Sequence, residues 1–170
     1  MADGGWDMVT EFEPHVGNTR DLRDAFSRFV SGVTVVTTAS DQGPVGITAN
    51  SFSSLSLDPP LVLWSPFTGS RRFPFFEHAE YFAIHILSAD QEYLCHDFAK
   101  SPFGFDNAEV SFNTQNVPLI ENCLARFECR KRAVYPGGDH VIVVGEVRNV
   151  QMRDGSALSF FAGTFRELSA

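Results

Sequence analysis

The feature that most constrains the fold of this chain is a recurrence of short β-type segments separated by residues that favour tight turns. Residues 33–38 have the sequence VTVVTT, and β-branched side chains of this kind suit an extended strand far better than a helix. Residues 41–43, DQG, then supply a turn, and GGD at 137–139 and DG at 154–155 follow later segments in the same way. Because strands joined by such short turns pair antiparallel, we predict a mostly antiparallel sheet.

The other strand segments differ in how they distribute apolar side chains. Residues 81–87 alternate as a strand does, and in residues 125–135 the alternation of apolar and charged side chains predicts one buried and one solvent-exposed face. Residues 53–60 end in a Pro-Pro pair that cannot donate to a ladder, so we predict a loop there, with the prolines before or at the edge of the strand that follows. Gly145, inside a long segment, predicts a bulge or bend. The predicted strands are 33–38, 45–52, 60–65, 81–87, 125–135, 140–150, 158–161 and 164–168.

Helical spacing is confined to a few short segments. Residues 20–30 are predicted to form a helix that Gly32 ends as a C′ glycine, and shorter helices are predicted at 74–79 and 89–99. Residues 100–116 are rich in polar residues, Gly and Pro, and are predicted to be a long surface segment. The first helix carries a single apolar stripe at i, i+3, i+4, i+7 and i+8: Leu22, Ala25, Phe26, Phe29 and Val30.

This balance predicts a mainly β protein. About seven strands against two or three short helices close most easily as an antiparallel barrel. A length of 170 residues with 44% hydrophobic residues favours one domain with a real core. We predict a flexible N-terminal tail over residues 1–18 and a folded domain over residues 19–170.

Net charge and cysteine content limit the classes of partner and the cellular location that this chain is expected to have. The net charge of −8 disfavours nucleic acid and anionic membranes as partners. No apolar run approaches the roughly 20 residues of a membrane helix, and the acidic start does not have the pattern of a secretory signal. Three cysteines without a CxxC pair predict neither a disulfide framework nor a zinc site. These features are typical of a cytoplasmic protein.

Several common catalytic motifs are missing from the sequence. It contains no GxxxxGK[ST], no GxGxxG after a strand, no HExxH and no GxSxG. The five histidines are scattered without metal-ligand spacing. We therefore predict no metal site, and a hydrolase is weakly supported.

Three polar segments remain as candidate site elements. Residues 46–60, GITANSFSSLSLDPP, combine small residues with hydroxyls and an amide, which suit a planar ligand with a hydrogen-bonding edge. Residues 65–72, SPFTGSRR, offer arginines and hydroxyls for a phosphate. Residues 137–140, GGDH, place a histidine at the start of a strand. On its residues alone, each segment is equally compatible with an ordinary polar turn.

In this order and spacing, the segments resemble the flavin reductase family, the small reductase components of two-component flavin monooxygenases. The resemblance runs from about Arg20 to Leu168. Its most specific stretches are GITANSFSSLSLDPPLVLWS at 46–65 and GGDHVIVVGEV at 137–147, with GTFREL closing the chain at 163–168.

The resemblance implies an FMN-binding split β-barrel, antiparallel and Greek-key-like with a few short helices. It implies a homodimer that transfers hydride from NADH or NADPH to FMN or FAD and supplies reduced flavin to a separate monooxygenase. It assigns His140 to positioning of the nicotinamide nucleotide. The flavin-binding residues that it implies are Thr48, Ala49, Asn50, Ser51, Ser65, Pro66, Phe67, Ser70, Arg71, Arg72, Phe98, Ala99, Phe165 and Arg166.

Three alternatives stand beside this hypothesis. A flavin-dependent oxidase of the same superfamily would hold FMN tightly and use oxygen without a nicotinamide donor, although the TANSF and GDH segments argue against it. A non-catalytic module would bind flavin or haem without turnover. A plain structural β-barrel would bind neither.

Overall fold

Seven strands of residues 9–169, the part of the chain that this computed structural model describes, form one antiparallel sheet. The strands are β2 (Thr34–Ser40), β3 (Gly43–Ala49), β4 (Ser53–Leu57), β5 (Pro60–Trp64), β6 (Tyr81–Ile86), β9 (Ala125–Gly137) and β10 (His140–Met152). Their order across the sheet is β3-β2-β6-β9-β10-β5-β4, and every neighbouring pair is antiparallel.

The remaining elements are two smaller sheets and several short helices. A three-stranded sheet has the order β1-β11-β12, and β7 and β8 form a small hairpin. These strands are β1 (Ser31–Gly32), β7 (Val110–Phe112), β8 (Pro118–Ile120), β11 (Ala157–Phe161) and β12 (Thr164–Leu168). The α-helices are α1 (Thr19–Phe26), α2 (Phe73–His78) and α3 (Glu92–Lys100), with single 3-10 turns at Val16–Asn18 and Ala89–Gln91.

The seven-stranded sheet curls around one apolar core. Val45 on edge strand β3 and Trp64 on β5, near the opposite edge, belong to the same buried cluster, which a flat sheet would not allow. Phe76 of α2 stacks edge-on against Trp64, with ring centroids 5.3 Å apart, and closes one end of this core. A second buried cluster lies between β2, α3 and β11 and includes Leu94 and Leu158.

The predicted irregularity at Gly145 is confirmed. The register between β9 and β10 shifts between Val144 and Gly145, as a β-bulge does. A Cβ at Gly145 would collide with the ring of Phe82, so the bend also needs a residue without a side chain. The bend lets β10 pair with β9 along its length and with β5 near its start.

Two sequence predictions about elements were wrong, and one strand was not predicted. Residues 53–57 form edge strand β4 rather than a loop, because backbone pairing with β5 makes a strand even where serines give little β-propensity. Gly32 lies in β1 and does not cap the first helix, which ends at Phe26. The surface segment at 100–116 contains β7, which pairs with β8.

Only residues 9–18 of the predicted N-terminal tail belong to the part of the chain that the structure describes. Of the predicted tail, residues 1–8 lie outside the described residues, whereas Val16–Asn18 form a 3-10 turn that His15 caps. The predicted apolar stripe is exposed at Phe26, the last residue of α1, which is 69% accessible, and at Phe29 beyond the helix, which is 81% accessible. None of the helices in residues 9–169 has the length and apolar composition needed to cross a membrane.

Candidate functional site

The loop after β3 and the end of β5 are tied together by one hydroxyl. The Ser65 backbone N–H donates to Ser51 Oγ at 2.9 Å, and the Ser51 hydroxyl donates to the Ser65 carbonyl at 3.3 Å. This reciprocal pair fixes residues 48–51, the TANS segment, beside residues 65–67, the SPF segment, although Ser51 and Ser65 are 14 residues apart in sequence. Two of the three candidate segments therefore share one wall.

The third segment joins the same wall through backbone contacts. The Val141 N–H donates to the Pro66 carbonyl at 3.2 Å, and the Thr68 N–H donates to the Asp139 carbonyl at 3.0 Å. The ring of Phe67 lies 5.5 Å from that of His140. Hence SPFTGSRR and GGDH, far apart in sequence, form one rim.

His140 is partly exposed at this rim, and its ring is oriented by its neighbour. Its Nδ1 lies 2.7 Å from Asp139 Oδ1, so Nδ1 carries the hydrogen and Nε2 faces away from the carboxylate. The hydrogen bond from His140 lowers the pKa of Asp139. With 43% of its side chain accessible, His140 can contact a bound molecule while keeping its orientation.

An open cavity of about 180 Å³ borders the TANS segment. The Thr34 hydroxyl donates to the Ala49 carbonyl at 2.6 Å, and the Thr48 hydroxyl reaches the Cys95 carbonyl only at 3.5 Å. The Asn50 amide is exposed and has no hydrogen bond to another described residue. It is therefore free to bind a ligand. The cavity is lined by Val33, Thr48, Ala49, Asn50, Phe160 and Phe165.

The opposite wall of this cavity is aromatic. Phe160 and Phe165 lie directly opposite each other on β11 and β12, with ring centroids 5.4 Å apart. His96 of α3 stacks edge-on against Phe165 at 5.9 Å. The sequence analysis singled out Phe165 but missed Phe160. Register across the predicted 158–161 and 164–168 hairpin would have placed the two rings together.

The predicted phosphate loop places its two arginines differently. Arg71 is exposed, whereas the guanidinium of Arg72 turns inward and its Nε is buried. Arg72 Nη2 donates to the carbonyls of Phe98 and Ala99, at 2.9 and 2.7 Å. Ser70 Oγ accepts the Arg72 backbone N–H at 3.2 Å, which leaves its own hydrogen free to donate.

The Phe98–Ala99 pair and Arg166 occupy three different environments. Phe98 is only 1% accessible and packs on Gly46, where a Cβ would collide with its ring. Ala99 is exposed at the end of α3. Arg166 is exposed on β12, and its carbonyl accepts the Ser159 hydroxyl at 3.0 Å. The structure therefore brings Phe98 beneath the β3 wall, as part of the core.

A larger cavity, about 490 Å³, also borders Phe165. It shares only Phe165 and Arg166 with the predicted site and is also lined by Asp90, Glu92 and Glu167. The three carboxylates outnumber the two arginines of the lining, Arg153 and Arg166, so its net charge disfavours a phosphate ligand. We therefore place the candidate site at the smaller apolar cavity and the adjoining rim.

This arrangement suits binding and orientation of a planar ligand. It offers an apolar aromatic slot, a free amide and an oriented histidine. The described residues contain no cluster of three or more His, Cys, Asp or Glu side chains placed to hold a metal ion. Such a site can hold a ring system and align a second molecule beside it.

Comparisons with known proteins fit this chemistry. Residues 26–169 match the family described as flavin reductase like domain. The chain is 49% identical over 158 residues to the FMN reductase (NADH) SmoA of Agrobacterium fabrum, covering 93% of this chain and 91% of that protein. It is 40% identical over 152 residues to the reductase component of a flavin-dependent trigonelline monooxygenase of Acinetobacter baylyi, covering 88% of this chain and 49% of that protein.

A solved structure agrees with these sequence matches. The NADH:FAD oxidoreductase SgcE6 of Streptomyces globisporus C-1027 superposes with a TM-score of 0.86 at 33% identity, covering 94% of this chain and 98% of that one. SgcE6 has also been solved in complex with NAD and FAD fragments. The predicted split-barrel fold and the predicted enzyme class, a nicotinamide-dependent flavin oxidoreductase, are confirmed. The chain belongs to the flavin reductase family.

Proposed function

We propose that the chain binds FMN or FAD against the TANS segment and reduces it with NADH or NADPH held beside His140. The observation that carries this proposal is the Ser51–Ser65 hydrogen-bond pair, which joins the TANS and SPF segments into one wall next to the histidine. When both are bound, the nicotinamide nucleotide would supply the hydride and the flavin would supply the redox chemistry, while the residues of this wall hold the two molecules in position.

The residues of the site fit a flavin. The isoalloxazine ring needs an apolar face and a hydrogen-bonding edge, and the cavity offers aromatic rings on one side and the free Asn50 amide on the other. The phosphate is proposed to bind at the Ser70–Arg72 loop, where Arg71 is exposed and the Ser70 hydroxyl has a hydrogen to donate. Phe98 supports β3 from beneath, whereas Arg166 lines the larger neighbouring cavity and follows Phe165 on β12.

The side chains of this site bind and orient rather than transfer protons. Asp139 holds the His140 ring, so that Nε2 is presented to the nicotinamide nucleotide. We propose no obligatory acid or base, because hydride transfer to a flavin requires position and electrostatics from the protein.

A homodimer is part of this proposal. A cavity of about 180 Å³ is small for a flavin, because ligand sites usually measure roughly 300–1,000 Å³, so a second copy of the chain is proposed to complete it. The apolar stripe of α1 and the exposed Leu55 and Leu57 on edge strand β4 are surfaces that a partner would cover. Light scattering during gel filtration should give twice the chain mass of 18.8 kDa.

The cellular role is proposed from the same site and from the relatives. One relative is named as the reductase component of a monooxygenase, so we propose that this chain releases reduced flavin to a separate monooxygenase. We propose a cytoplasmic location because Cys95, Cys123 and Cys129 are all free.

One assay tests the reaction. The purified chain is mixed with NADH or NADPH and with FMN or FAD, and the nicotinamide absorbance is followed. Flavin-dependent loss of this absorbance supports the proposal. Oxygen-dependent turnover of an amine without a nicotinamide donor, or flavin binding without any turnover, would contradict it in favour of an oxidase or a binding module.

A double variant tests where the flavin binds. Asn50→Ala with Ser51→Ala removes the free amide and the hydroxyl that joins the two loops. We expect the flavin Kd to rise about tenfold or more, since each lost hydrogen bond typically costs about 1 kcal/mol. The matched control is Ser53→Ala, whose hydroxyl donates only to the neighbouring Ser54 carbonyl among residues 9–169. An unchanged Kd in the double variant would exclude the TANS segment as the flavin site.

A further inference from the structure

Arg71 and Arg72 are adjacent in sequence but point into different surroundings. Arg71 is exposed and has no hydrogen bond or ion pair to another residue within 9–169. Arg72 is half buried, its Nε is sealed from solvent, and its Nη2 contacts two backbone carbonyls. The orientation of Arg72 takes its guanidinium away from the surface on which a phosphate would bind.

The two carbonyls that Arg72 contacts belong to the last turn of α3. Carbonyls at a helix C-terminus have no partner within the helix and carry the negative end of its dipole. A guanidinium that donates to both Phe98 and Ala99 satisfies these acceptors and neutralises that end. Arg72 therefore caps α3 from a loop 26 residues earlier in the chain.

The capped helix end also supports the wall of the flavin site. Phe98 packs on Gly46 so closely that no Cβ fits between them. The Gly46 N–H donates to the carbonyl of Pro102, just after α3, at 2.8 Å. Gly46 lies on β3 two residues before Thr48. A shift of the α3 terminus would therefore move the strand that carries the TANS segment.

We propose that the two arginines have separate roles. Arg71 binds the flavin phosphate directly, and Arg72 is a positioning residue that acts through the α3 terminus and β3 on the isoalloxazine ring. This proposal rests on the proposed function, because it needs flavin to bind at the TANS segment and the Ser70–Arg72 loop.

A comparison of FMN with riboflavin, which has the same ring and no phosphate, separates the two roles. We expect Arg71→Ala to raise the Kd of FMN about tenfold and to leave the Kd of riboflavin within twofold, as measured by quenching of flavin fluorescence. We expect Arg72→Ala to raise both Kd values by a similar factor of about five to ten, because it disturbs the wall that the two ligands share.

Arg72→Lys keeps the test valid if Arg72→Ala does not fold. Lysine retains a cation that can donate to the two carbonyls without the planar fork, so both Kd values should rise together and by less than in Arg72→Ala. A loss of affinity for FMN alone in either Arg72 variant would show that Arg72 binds phosphate and would overturn the proposal. Unchanged affinity for both ligands in the Arg72 variants would overturn it as well.

The wild-type chain distinguishes failure of this inference from failure of the proposed function. If wild type binds neither FMN nor riboflavin, the proposed function itself is wrong. If it binds FMN but not riboflavin, the isoalloxazine ring contributes no measurable affinity. Arg72 then has no ring binding to support, and only its positioning role is wrong.

Discussion

His85 and His140 lie on two strands of the same sheet, in opposite environments. The side chain of His85, on β6, is fully buried, whereas that of His140, at the start of β10, is 43% accessible. Both rings use Nδ1 in a hydrogen bond, His85 with the Val35 carbonyl at 2.9 Å and His140 with Asp139 at 2.7 Å.

The second ring nitrogen shows how the two roles differ. The Ile120 N–H donates to Nε2 of His85 at 3.0 Å, so both nitrogens of this ring join β2, β6 and β8 within the protein. Nε2 of His140 has no hydrogen bond to another described residue. The His85 ring, with both nitrogens hydrogen-bonded, stabilises the fold, whereas the His140 ring keeps one nitrogen available to a ligand. The two histidines therefore differ in whether a ring nitrogen remains without a hydrogen bond within the described residues after folding.

The largest expected effect follows removal of the buried ring. His85→Ala leaves a cavity and two buried backbone groups, the Val35 carbonyl and the Ile120 N–H, without their partner. We expect the free energy of unfolding to fall by about 4 kcal/mol, which urea denaturation followed by circular dichroism would measure. His78→Ala is the matched control, because that side chain is 84% accessible, and it should change stability by less than about 0.5 kcal/mol. Equal stability of the two variants would show that His85 is not a structural residue.

Acid should produce the next largest effect, again through His85. Desolvation by burial lowers the pKa of His85 from 6.5 to about 4, so the unfolded chain takes up a proton at a higher pH than the folded chain. The stability that neutral His85 contributes is therefore complete above pH 6.5 and is lost as the pH falls from 6.5 to 4. We expect a loss of about 3 kcal/mol from this group over that window.

His85→Gln tests the origin of this acid sensitivity. Glutamine has no proton to gain between pH 6.5 and 4, so the unfolding free energy of the variant should fall about 3 kcal/mol less than that of wild type over this window. An identical pH dependence in the two proteins would mean that other groups account for the acid loss.

The sequence predicted the sheet well where a residue that indicates local structure is also required by the packing between strands. Gly145 interrupts a strand pattern, and the bulge there also accommodates Phe82. β4 and β8 lack such a signal, because SSLSL has little β-propensity and PLI is only three residues long. The burial of His85 depends on β8, which covers that face of β6, and so it was not foreseen.

The candidate site was predicted as segments but not as contacts. The TANS, SPF and GDH motifs are recognisable in the sequence, and the structure joins them through Ser51, Ser65 and Pro66. The inward turn of Arg72 depends on where α3 ends in space, and pattern within the loop carries no information about that. Residue type alone therefore predicted a phosphate ligand at a position where the structure shows a helix cap.

The exposed histidine should affect binding of the donor rather than stability. We expect His140→Ala to raise the KM for the nicotinamide nucleotide about tenfold and to lower kcat by less than twofold, since it removes a binding contact rather than a reacting group. Its unfolding free energy should stay within about 0.5 kcal/mol of wild type, in contrast to His85→Ala. Loss of turnover even at saturating donor would show that His140 takes part in the chemical step.

The smallest expected effect comes from the residue that orients His140. Asp139→Asn keeps a hydrogen-bond acceptor beside Nδ1 but removes the charge, so the ring keeps much of its orientation. We expect the KM for the donor to rise about two- to threefold, with kcat unchanged. Asp154→Asn, at another turn of the chain, is the matched control and should leave both constants unchanged. In Asp139→Asn combined with His140→Ala, the KM should equal that of His140→Ala alone, because Asp139 acts only through the ring. A further rise in the double variant would mean that Asp139 contacts the donor independently.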